Sequence, residues 1–544
     1  MSDKAQDAAS QTRVVVVGAG FAGVAAAAAL REGGVEDVVV LEAQERAGGR
    51  VKTVAFDGGF VELGAQFIHG EKGNHLYDLA KKYGCLMDRS LYQANRTSDS
   101  SALDYKDHLF FTSAGQQVDQ DCLVPLLEDA NELTHNLADS IYNDRDCDAR
   151  QENVHKNFQS FLEEAHAKFM SSSTVSVDPD VKDAVFRWIE AWQYADNGAR
   201  FEDISLEGYG KYRYLEGFGL TLTASGLMEV FNRFLQESLR PGSLRLSTPV
   251  RTVSWHPNTD KNGSPGLKVQ QCAEEIQETE VEPANQRRVK VVCQNGDVIL
   301  ADHVIVTASI GFLRENEESF FVPPLPEEHR KAIHGVGFGL VAKVFLVWDS
   351  LEKIFGSNLE GIQFLWLKGF PPKLSSSKTS LRTSKGGNWY DNLQGFERIA
   401  SHEGMMLTWL AGEEAEIMEQ LPEKEIQEVL HELLVIFTNN TAIPPPKKIL
   451  RSTWKSNPFT RGSYSYLAAG VDINLHDTLR QPVPTPENPV VLLAGEACSQ
   501  YYFSTVHGAI ESGQQAARAI LRHVQSQQQP AAPSRKATVI AHVA

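Results

Sequence analysis

The segment from Val14 to Glu42 constrains the fold more than any other part of this 544-residue chain. Val14 to Val17 is a β-branched run, Gly-Ala-Gly-Phe-Ala-Gly follows it, and an alanine-rich stretch continues to Leu30. A second apolar run at 38–41 ends at Glu42. This order predicts strand, glycine turn, helix and strand, which is the βαβ unit of a dinucleotide-binding fold.

Each glycine of the turn has its own expected role. Gly18 permits the tight turn, Gly20 lets the backbone approach a pyrophosphate, and Gly23 allows close packing of helix on strand. The helix N-terminus then faces the anion with free amides and a partial positive charge. We expect Glu42 to accept hydrogen bonds from the adenosine ribose. The glycine pattern alone also fits a structural turn, so the prediction of a dinucleotide depends on the whole order of elements.

A second group of glycines favours FAD over NAD. Residues 42–50 read Glu-Ala-Gln-Glu-Arg-Ala-Gly-Gly-Arg, which places Arg46, Gly49 and Arg50 just after the ribose acid. Arg50 can hold a pyrophosphate through two parallel hydrogen bonds while Gly49 lets the backbone pass. An NAD enzyme needs no such extension, so we predict FAD.

Composition narrows the class of protein. The chain is longer than one hydrophobic core usually supports, and 42% hydrophobic and 22% charged residues are typical of a globular protein. Lys+Arg of 52 against Asp+Glu of 70 gives a net charge of −18, which argues against nucleic acid as a partner and would attract small polycations. The six cysteines contain no CxxC pair, so we expect neither disulfides nor a metal site.

Targeting signals are not visible in the sequence. The N-terminus is polar, the apolar run at 14–30 is too short and glycine-rich for a membrane span, and the chain ends in His-Val-Ala. We therefore expect a cytoplasmic protein without a membrane segment, and the oligomeric state stays open.

Two domains of the α/β class are expected. The polar, helical pattern at 90–215 predicts an inserted substrate domain, and β-branched runs near Val250 and at Val304 to Thr307 predict strands that rejoin the first domain. The acidic, turn-rich stretch at 257–287 is interpreted as a surface insertion. The expected units are a Rossmann-like FAD-binding domain from discontinuous segments 12–88, 215–312 and 451–525, an α+β substrate-binding domain with a mixed sheet and helices from 89–214 and 313–450, and flexible termini at 1–11 and 526–544.

Several motifs in a fixed order resemble one known family. They are VVVVGAGFAG, LEAQERAGGR, VELGAQFIHG, AKVFL, PFTRGSYSY and LLAGEACSQYYFSTVHGAIESGQQAA. With them the chain resembles the flavin-containing amine oxidases, and within these the animal polyamine oxidases. The likeness covers residues 14–79 and 454–517 strongly and the patches 205–250 and 300–347 more weakly.

This resemblance implies further contacts to FAD. Ala494-Gly495-Glu496 with the helix start at Ser504 resembles the second half of the family's cofactor site, suited to the ribityl chain and pyrimidine end. For Val250 and Thr307 core packing is an equally good interpretation. Ser463 stands where monoamine oxidases carry the cysteine that attaches their flavin, so noncovalent FAD is expected. The cofactor residues implied beyond the first motif are Gly64, Ala65, Val250, Thr307, Trp454, Gly495, Glu496, Thr505 and Val506.

Two residues carry the catalytic roles that the resemblance implies. His69 matches a histidine at the substrate mouth, where a neutral imidazole can accept a hydrogen bond from an amine or help its deprotonation. A hydrogen-bonded core histidine is the alternative. Lys343 interrupts an apolar run and matches the lysine that holds a water against the flavin N5 nitrogen. A lysine pointing outward from a strand is the alternative.

Other matches concern the substrate. The close match of the segment 461–466 to the family implies that Tyr464 lies at the cavity wall and Trp454 near the flavin. Aromatic faces there would attract an amine or a cation. Thr505 matches a hydroxyl that bonds a substrate amine. Glu190 matches an acidic substrate residue only across a local length difference, and an exposed helix carboxylate is the alternative.

Together these features imply oxidation of a secondary amine of spermine or an N1-acetylated polyamine. Hydride would leave the carbon next to nitrogen, the imine would hydrolyse to a shorter amine and an aminoaldehyde, and dioxygen would become hydrogen peroxide. The resemblance favours spermine, because an acidic insertion at about this place also occurs in family members that act on spermine, and the C-terminal tripeptide shows no peroxisomal address. Oxidation of another amine, such as an amino acid or methylated lysine, and flavin binding without turnover are the alternatives.

Overall fold

A computed structural model describes residues 11–88, 107–136, 157–172, 177–256, 287–356 and 359–527 of the chain. Almost all of the acidic insertion expected at 257–287 lies outside these ranges, as do most residues of both termini. The α/β class is confirmed, because sheets and helices alternate along the described chain. None of the described helices combines the length and apolar character that a bilayer crossing needs.

The strands are β1 (Arg13–Val17), β2 (Asp37–Leu41), β3 (Thr53–Phe56), β4 (Gly59–Glu62), β5 (His108–Thr112), β6 (Leu244–Arg245), β7 (Val250–Trp255), β8 (Val289–Cys293), β9 (Val298–Ala301), β10 (His303–Val306), β11 (Phe321–Val322), β12 (Gly337–Gly339), β13 (Val341–Val347), β14 (Gly361–Leu365), β15 (Gly395–Arg398), β16 (Met405–Ala411), β17 (Lys448–Arg451), β18 (Tyr464–Tyr466), β19 (Val483–Thr485) and β20 (Asn488–Leu493). The α-helices are α1 (Phe21–Glu32), α2 (His75–Lys82), α3 (Gln120–Asn131), α4 (Phe158–Ser172), α5 (Pro179–Asn197), α6 (Leu206–Lys211), α7 (Leu227–Ser238), α8 (Ile310–Phe320), α9 (Glu327–Gly335), α10 (Glu352–Phe355), α11 (Gly412–Gln420), α12 (Glu423–Thr438), α13 (Leu475–Leu479) and α14 (Val506–Ser526).

The predicted strand, glycine turn, helix and strand form β1, α1 and β2. Strand β1 pairs in parallel with β2 on one side and β10 on the other, so it lies inside a sheet. Val14 and Val16 pack into one core and Val15 and Val17 into another. A strand covered on both faces needs the continuous β-branched run seen here.

The first six-stranded sheet has the order β19-β20-β10-β1-β2-β6 and is parallel except for β19. Its members come from three distant parts of the chain, and β10 lies between β1 and β20. The strand expected at Val304 to Thr307 is thus confirmed as part of this sheet. The glycine turn follows the carboxyl end of β1, the edge at which open parallel sheets bind ligands.

The strand expected near Val250 is β7, and it lies in a different sheet from β10. Strand β7 pairs with β8 and β11 in a separate sheet of order β11-β7-β8-β9. This sheet packs on the face of the first, because Val250 and Val253 share a core with Val15. The domain boundary expected between residues 312 and 313 lies inside α8. The strand that follows, β11, extends the β7 sheet.

A second six-stranded sheet of order β17-β13-β16-β15-β14-β5 carries α12 on one face. Alternation along β13 decides where its one charged residue lies. Ala342, Val344 and Leu346 pack with α12, whereas Phe345 and Val347 pack on the opposite face with residues of β4 and β16. Lys343 shares the face of Phe345 and Val347.

Helix α5 has a defined cap at each end. Its N-terminus is capped by Asp178, whose side chain accepts from Asp180 N, and its C-terminus by Gly198 in the left-handed conformation. It packs against α3 and against β14 and β16 of the second sheet. The C-terminal turn of α5 thereby reaches the cavity described next.

Candidate active site

One cavity of about 1180 Å³ extends from the glycine turn after β1 to the C-terminus of α5. It exceeds the roughly 300–1,000 Å³ of ordinary small-molecule pockets. Of the residues singled out from the sequence, Gly23, Arg46 and Glu190 lie outside its lining. The lining includes Gly18, Gly20, Glu42, Gly49, Arg50, Gly64, Ala65, His69, Val250, Thr307, Lys343, Trp454, Tyr464, Gly495, Glu496, Thr505 and Val506.

The three glycines of the turn have different surroundings. Gly18 has a φ of +105°, and a Cβ there would lie 2.3 Å from Thr307 Oγ1. A Cβ on Gly23 would lie 2.0 Å from Gly18 O, so this glycine lets α1 pack on the turn. A Cβ on Gly20 would meet no protein atom within 4 Å, and Gly20 borders the cavity. The open space beside the N-terminus of α1 fits the pyrophosphate of a dinucleotide.

Glu42 is held at the end of β2 by two backbone amides. Its Oε2 accepts from Ala19 N at 2.8 Å and its Oε1 from Gln44 N at 2.9 Å. A carboxylate has about four lone-pair sites, so two are left for ribose hydroxyls. This geometry suits the role expected for Glu42.

Arg50 joins the first and last parts of the chain. Its Nη1 donates to Glu496 Oε1 at 2.7 Å and to Ser463 O at 2.8 Å. Glu496 Oε2 accepts from Ser465 Oγ at 2.6 Å and from Ser504 N at 2.9 Å. Burial opposes ionisation of Glu496, but Arg50 and these hydrogen bonds together lower its pKa. The two-pronged contact of Arg50 with a pyrophosphate stays a prediction.

Arg46 stabilises its own loop. Its guanidinium donates to the carbonyl oxygens of Ala47, Gly49 and Val51 at 3.2, 2.6 and 3.0 Å. Burial lowers its pKa, against a smaller opposing effect of Glu42. Arg46 therefore fixes the loop that carries Gly49 and Arg50, rather than lining the cavity itself.

Lys343 is buried at 3% exposure, so the outward-pointing alternative is wrong. Its Nζ donates to Glu62 O at 2.9 Å, Gly64 O at 2.8 Å and Gln66 Oε1 at 2.8 Å, and it lies 4.5 Å from the centre of the Trp409 ring. These three acceptors match the three protons of an ammonium.

Burial places Lys343 near the balance between its charged and neutral forms. Burial lowers the pKa of Lys343 to about 7, although the charge of Glu62 acts to raise it. Burial also raises the pKa of the Glu62 carboxyl. In the neutral form the amine keeps two N–H donors and gains a lone pair that can accept from a water.

His69 borders the cavity as a neutral imidazole. Protein surrounds the ring, and burial lowers its pKa to about 4. No group in the described part of the chain bonds to its ring nitrogens, so the alternative of a hydrogen-bonded core histidine is not what the structure shows. One ring nitrogen is therefore available to accept from a ligand.

Tyr464, Trp454 and Thr505 line the cavity while making protein contacts. The Tyr464 hydroxyl donates to Asp196 O at 2.7 Å, and Trp454 Nε1 donates to Leu63 O at 3.1 Å. The Thr505 hydroxyl caps α14, because it accepts from Gly508 N at 3.1 Å and donates to a nearby carbonyl. One lone pair of Thr505 is left to accept from a substrate ammonium.

Glu190 is not brought to the cavity, and it is not fully exposed either. It is half-buried on α5 beside Arg187, Asp183 and Lys368, and burial raises its pKa to about 7. Asp196 lies six residues further along α5, which turns its side chain about 120° away from that of Glu190. Asp196 lines the cavity and was missed in the sequence, although an acid just before a helix-ending Gly is an unfavourable placement that could have marked it.

Carboxylates outnumber basic side chains in the lining. Arg50, Lys343 and Arg398 are its lysine and arginine residues, and its acids are Glu42, Asp107, Asp196, Glu360, Glu397 and Glu496. Such a wall favours cationic ligands. In the described ranges no group of three or more His, Cys, Asp or Glu residues could hold a metal ion.

Comparison with known proteins gives consistent matches over nearly the whole chain. A family model described as "Flavin containing amine oxidoreductase" matches residues 21–521. The peroxisomal N(1)-acetyl-spermine/spermidine oxidases of Bos taurus and Homo sapiens are each 32% identical, over 92% of this chain and 93% of theirs. Polyamine oxidase 1 of Oryza sativa subsp. japonica is 28% identical, over 95% of this chain and 98% of its own.

Proposed function

This chain belongs to the family of flavin-containing amine oxidoreductases, and from that premise we propose that it oxidises a secondary amine of a polyamine. Its cofactor is FAD, as in that family. The observation that carries the proposal is one continuous cavity that joins the glycine turn to Lys343, His69 and Tyr464. The dinucleotide cradle, formed by the glycine turn with Glu42 and Arg50, thus borders the same space as the expected amine-binding wall of Lys343, His69 and Tyr464.

The residues around the cradle fit FAD. Gly20 leaves open space at the N-terminus of α1, Glu42 keeps two free lone-pair sites, and Arg50 with Glu496 closes the far side. Bound there, FAD supplies a two-electron acceptor that dioxygen reoxidises, with hydrogen peroxide as the product. Ser463 bonds to the backbone of Val341, and a serine offers no thiol for a covalent flavin link, which supports noncovalent binding.

The reacting nitrogen has to be uncharged, because an ammonium does not readily lose hydride from the neighbouring carbon. His69 suits this requirement, since a neutral imidazole can accept the N–H of an amine without favouring its protonated form. A polar but uncharged contact near the reacting atoms is therefore available.

Lys343 can assist the water that hydrolyses the imine. Loss of hydride and the nitrogen proton leaves an imine, and addition of one water splits it into a shorter amine and an aminoaldehyde. A neutral Lys343 can accept a proton from that water or orient it, and its carbonyl partners Glu62 and Gly64 keep the amine in place.

The substrate is the finer part of the proposal. The names of the bovine, human and rice relatives support a polyamine as the substrate. Between spermine and an N1-acetylated polyamine we propose spermine, supported by the acidic cavity lining. A cytoplasmic location also stays part of the proposal.

Product analysis tests the proposal. The FAD-loaded protein is incubated with spermine, N1-acetylspermine, spermidine, an amino-acid mixture and a methylated-lysine peptide, and peroxide and amine products are measured. Peroxide with a shortened amine from spermine is the expected result. Turnover of only the amino acids or the peptide would assign another amine oxidase activity, and no peroxide from any amine would favour flavin binding without turnover.

A further inference from the structure

All hydrogen-bonding positions of the Lys343 nitrogen are occupied in this structure. Besides its bond to Cε, Nζ donates to Glu62 O at 2.9 Å, to Gly64 O at 2.8 Å and to Gln66 Oε1 at 2.8 Å. A tetrahedral nitrogen offers three positions for hydrogen bonds. A water can therefore bond to Lys343 only where one of these acceptors gives way.

Two of the three acceptors are backbone oxygens held by their surroundings. Glu62 is the last residue of β4 and pairs with Thr53 of β3. Gly64 lies so close to Arg50 that a Cβ on it would be 1.9 Å from Arg50 O. The carbonyl oxygens of Glu62 and Gly64 thus have little freedom to move.

The third acceptor belongs to a side chain that can turn. Gln66 is half-buried and lines the cavity. Its Oε1 accepts from Lys343, whereas its Nε2 makes no hydrogen bond with the residues that the structure describes. Rotation about its side-chain bonds takes Oε1 away from Lys343 and frees that direction for a water in the cavity.

Glu62 carries the charge that acts on Lys343, but its carboxylate is engaged elsewhere. Its Oε1 accepts from Leu227 N at 2.6 Å, and its Oε2 accepts from Thr53 Oγ1 at 2.8 Å. Through its side chain Glu62 therefore raises the pKa of Lys343 by its charge, without a hydrogen bond to Nζ.

The neighbouring strands of the second sheet present no further acceptor to Nζ in the described chain. From β16 the Trp409 ring lies 4.5 Å from Nζ, and on β17's side the Ser452 hydroxyl accepts from the backbone nitrogen of Lys343 at 2.9 Å. Gln66 is thus the side chain that accepts directly from the Lys343 amine.

The Gln66 amide oxygen favours the charged form of Lys343. An oxygen acceptor gains more from an ammonium than from a neutral amine. In the neutral amine a lone pair takes one of the three positions, and a carbonyl oxygen facing that lone pair is repelled. The lone pair will take the position whose acceptor can turn away, which is the one that Gln66 holds.

We propose that Gln66 is a positioning residue for Lys343, which holds the ammonium form and turns aside when the neutral amine binds a water. This inference rests on the proposed function and deepens it, because it names the residue that regulates the water step assigned to Lys343. The identity of residue 66 therefore sets the pH at which Lys343 becomes able to accept from that water.

Two substitutions should move Lys343 in opposite directions. Gln66→Glu keeps an acceptor and adds a negative charge beside Nζ, which favours the ammonium. Gln66→Met removes the acceptor at similar length, which favours the neutral amine. Gln420→Glu adds the same charge at an exposed position of α11, outside the cavity lining, and is the control. FAD content and unfolding temperature are recorded for every variant.

Flavin reoxidation gives the first measurement. The flavin of the FAD-loaded protein is reduced by light without oxygen, so that no amine substrate is needed, and its reoxidation by dioxygen is followed as a function of pH. In Gln66→Glu the rise in rate near pH 7 should move up by about one unit or more, which slows reoxidation at pH 7 about fivefold and restores it at about pH 9. In Gln66→Met it should move down by about half a unit or more, and Gln420→Glu should match the wild type.

Urea unfolding gives a second measurement that needs no turnover. Because burial lowers the pKa of Lys343 to about 7, the unfolded chain above that pH holds a proton that the native protein does not. The free energy of unfolding therefore rises with pH up to the ordinary lysine pKa of about 10.4. This rise should begin at higher pH in Gln66→Glu and at lower pH in Gln66→Met. Neither substitution should shift it in a Lys343→Met background.

Positions that stay unchanged in both variants, or that move in the same direction, would overturn the inference. Failure of the proposed function looks different, because a flavin that spermine leaves oxidised would reject the polyamine reaction while both measurements still test Gln66. If wild-type reoxidation does not depend on pH, urea unfolding decides. A rise that begins at higher pH in Gln66→Glu then supports the role of Gln66, and an unchanged one rejects it.

Discussion

Arg50 and Glu496 are 446 positions apart in the chain and form an ion pair of 2.7 Å at the wall of the cavity. Arg50 comes from the loop after β2, and Glu496 follows β20 of the same parallel sheet. The pair therefore closes the cofactor space only when the first and last thirds of the chain have assembled. Glu496 is 5% exposed, so a weakened partner leaves a buried charge poorly compensated.

Replacing the arginine of this pair should weaken cofactor retention. Arg50→Lys keeps the charge but loses the planar fork, so we expect FAD to dissociate at least about tenfold more readily. The measurement is FAD released on dilution, followed by flavin fluorescence. Arg461→Lys, at the more exposed ion pair with Glu315, is the matched control and should retain FAD. Equal retention by Arg50→Lys and wild type would remove Arg50 from the cofactor site.

The two glycines of the first turn should fail in different ways when changed to alanine. Gly20→Ala meets no protein atom and should leave the unfolding temperature of the apoprotein unchanged, while the methyl group enters the cofactor space and reduces FAD affinity. Gly23→Ala would place Cβ 2.0 Å from Gly18 O and should destabilise the fold itself, by about 1–3 kcal/mol or more. Thermal unfolding with and without added FAD separates the two effects. Identical behaviour of both variants would contradict the assigned roles.

Lys343→Met should give a yellow, FAD-loaded protein with slow turnover. The variant removes the amine from a cavity wall but leaves the residues of the cradle in place, so we expect FAD content to persist and reoxidation by dioxygen or imine release to slow by about tenfold or more. Stopped-flow reoxidation of the reduced flavin checks this. Lys353→Met, at an exposed position of α10, is the control. Wild-type turnover in Lys343→Met would contradict its role.

The activity should rise with pH through the neutral range. With a pKa of about 7 for Lys343, its neutral form gains population as pH increases from 6 to 8, whereas His69, with a pKa of about 4, is already neutral throughout. A step that needs neutral Lys343 therefore accelerates over this interval. The pH profile of flavin reoxidation measures it, and the limb near pH 7 should disappear in Lys343→Met. An unchanged limb in that variant would assign the ionisation to another group.

Acidification should destabilise the fold through buried histidines. His303 is 2% exposed and contacts Pro489 O, and burial lowers its pKa from 6.5 to about 3. Between these values the unfolded chain binds a proton that the native protein does not, so stability present above pH 6.5 is lost as pH falls, on the order of 3 kcal/mol at pH 4. Urea unfolding at several pH values tests this. His303→Asn should flatten the acid slope, and the exposed His256→Asn should not.

The sequence specified the cofactor half of the site better than the substrate half. The glycine turn and Glu42 are local features, because a continuous β-branched run and a glycine-opened helix determine where they lie. Lys343 was identifiable because a charge interrupts an apolar strand. Which sheet takes the strand at Val250 depends on pairing with distant β8, and no local pattern encodes that choice.

The choice of the acidic residue that borders the cavity shows the same limit. Glu190 and Asp196 lie on one helix, and the choice between them depends on which face of α5 meets the cavity. That face is set by packing against α3 and the second sheet, which are distant in the chain. A match to a family motif with a local length difference could not resolve a rotation of about 120°.

The most direct measurement mixes the FAD-loaded protein with spermine in the absence of oxygen and follows the visible absorbance of the flavin. The account predicts bleaching at spermine concentrations that saturate, and return of the oxidised spectrum with peroxide release when air is admitted. A flavin that stays oxidised with spermine, spermidine and N1-acetylspermine alike would contradict it.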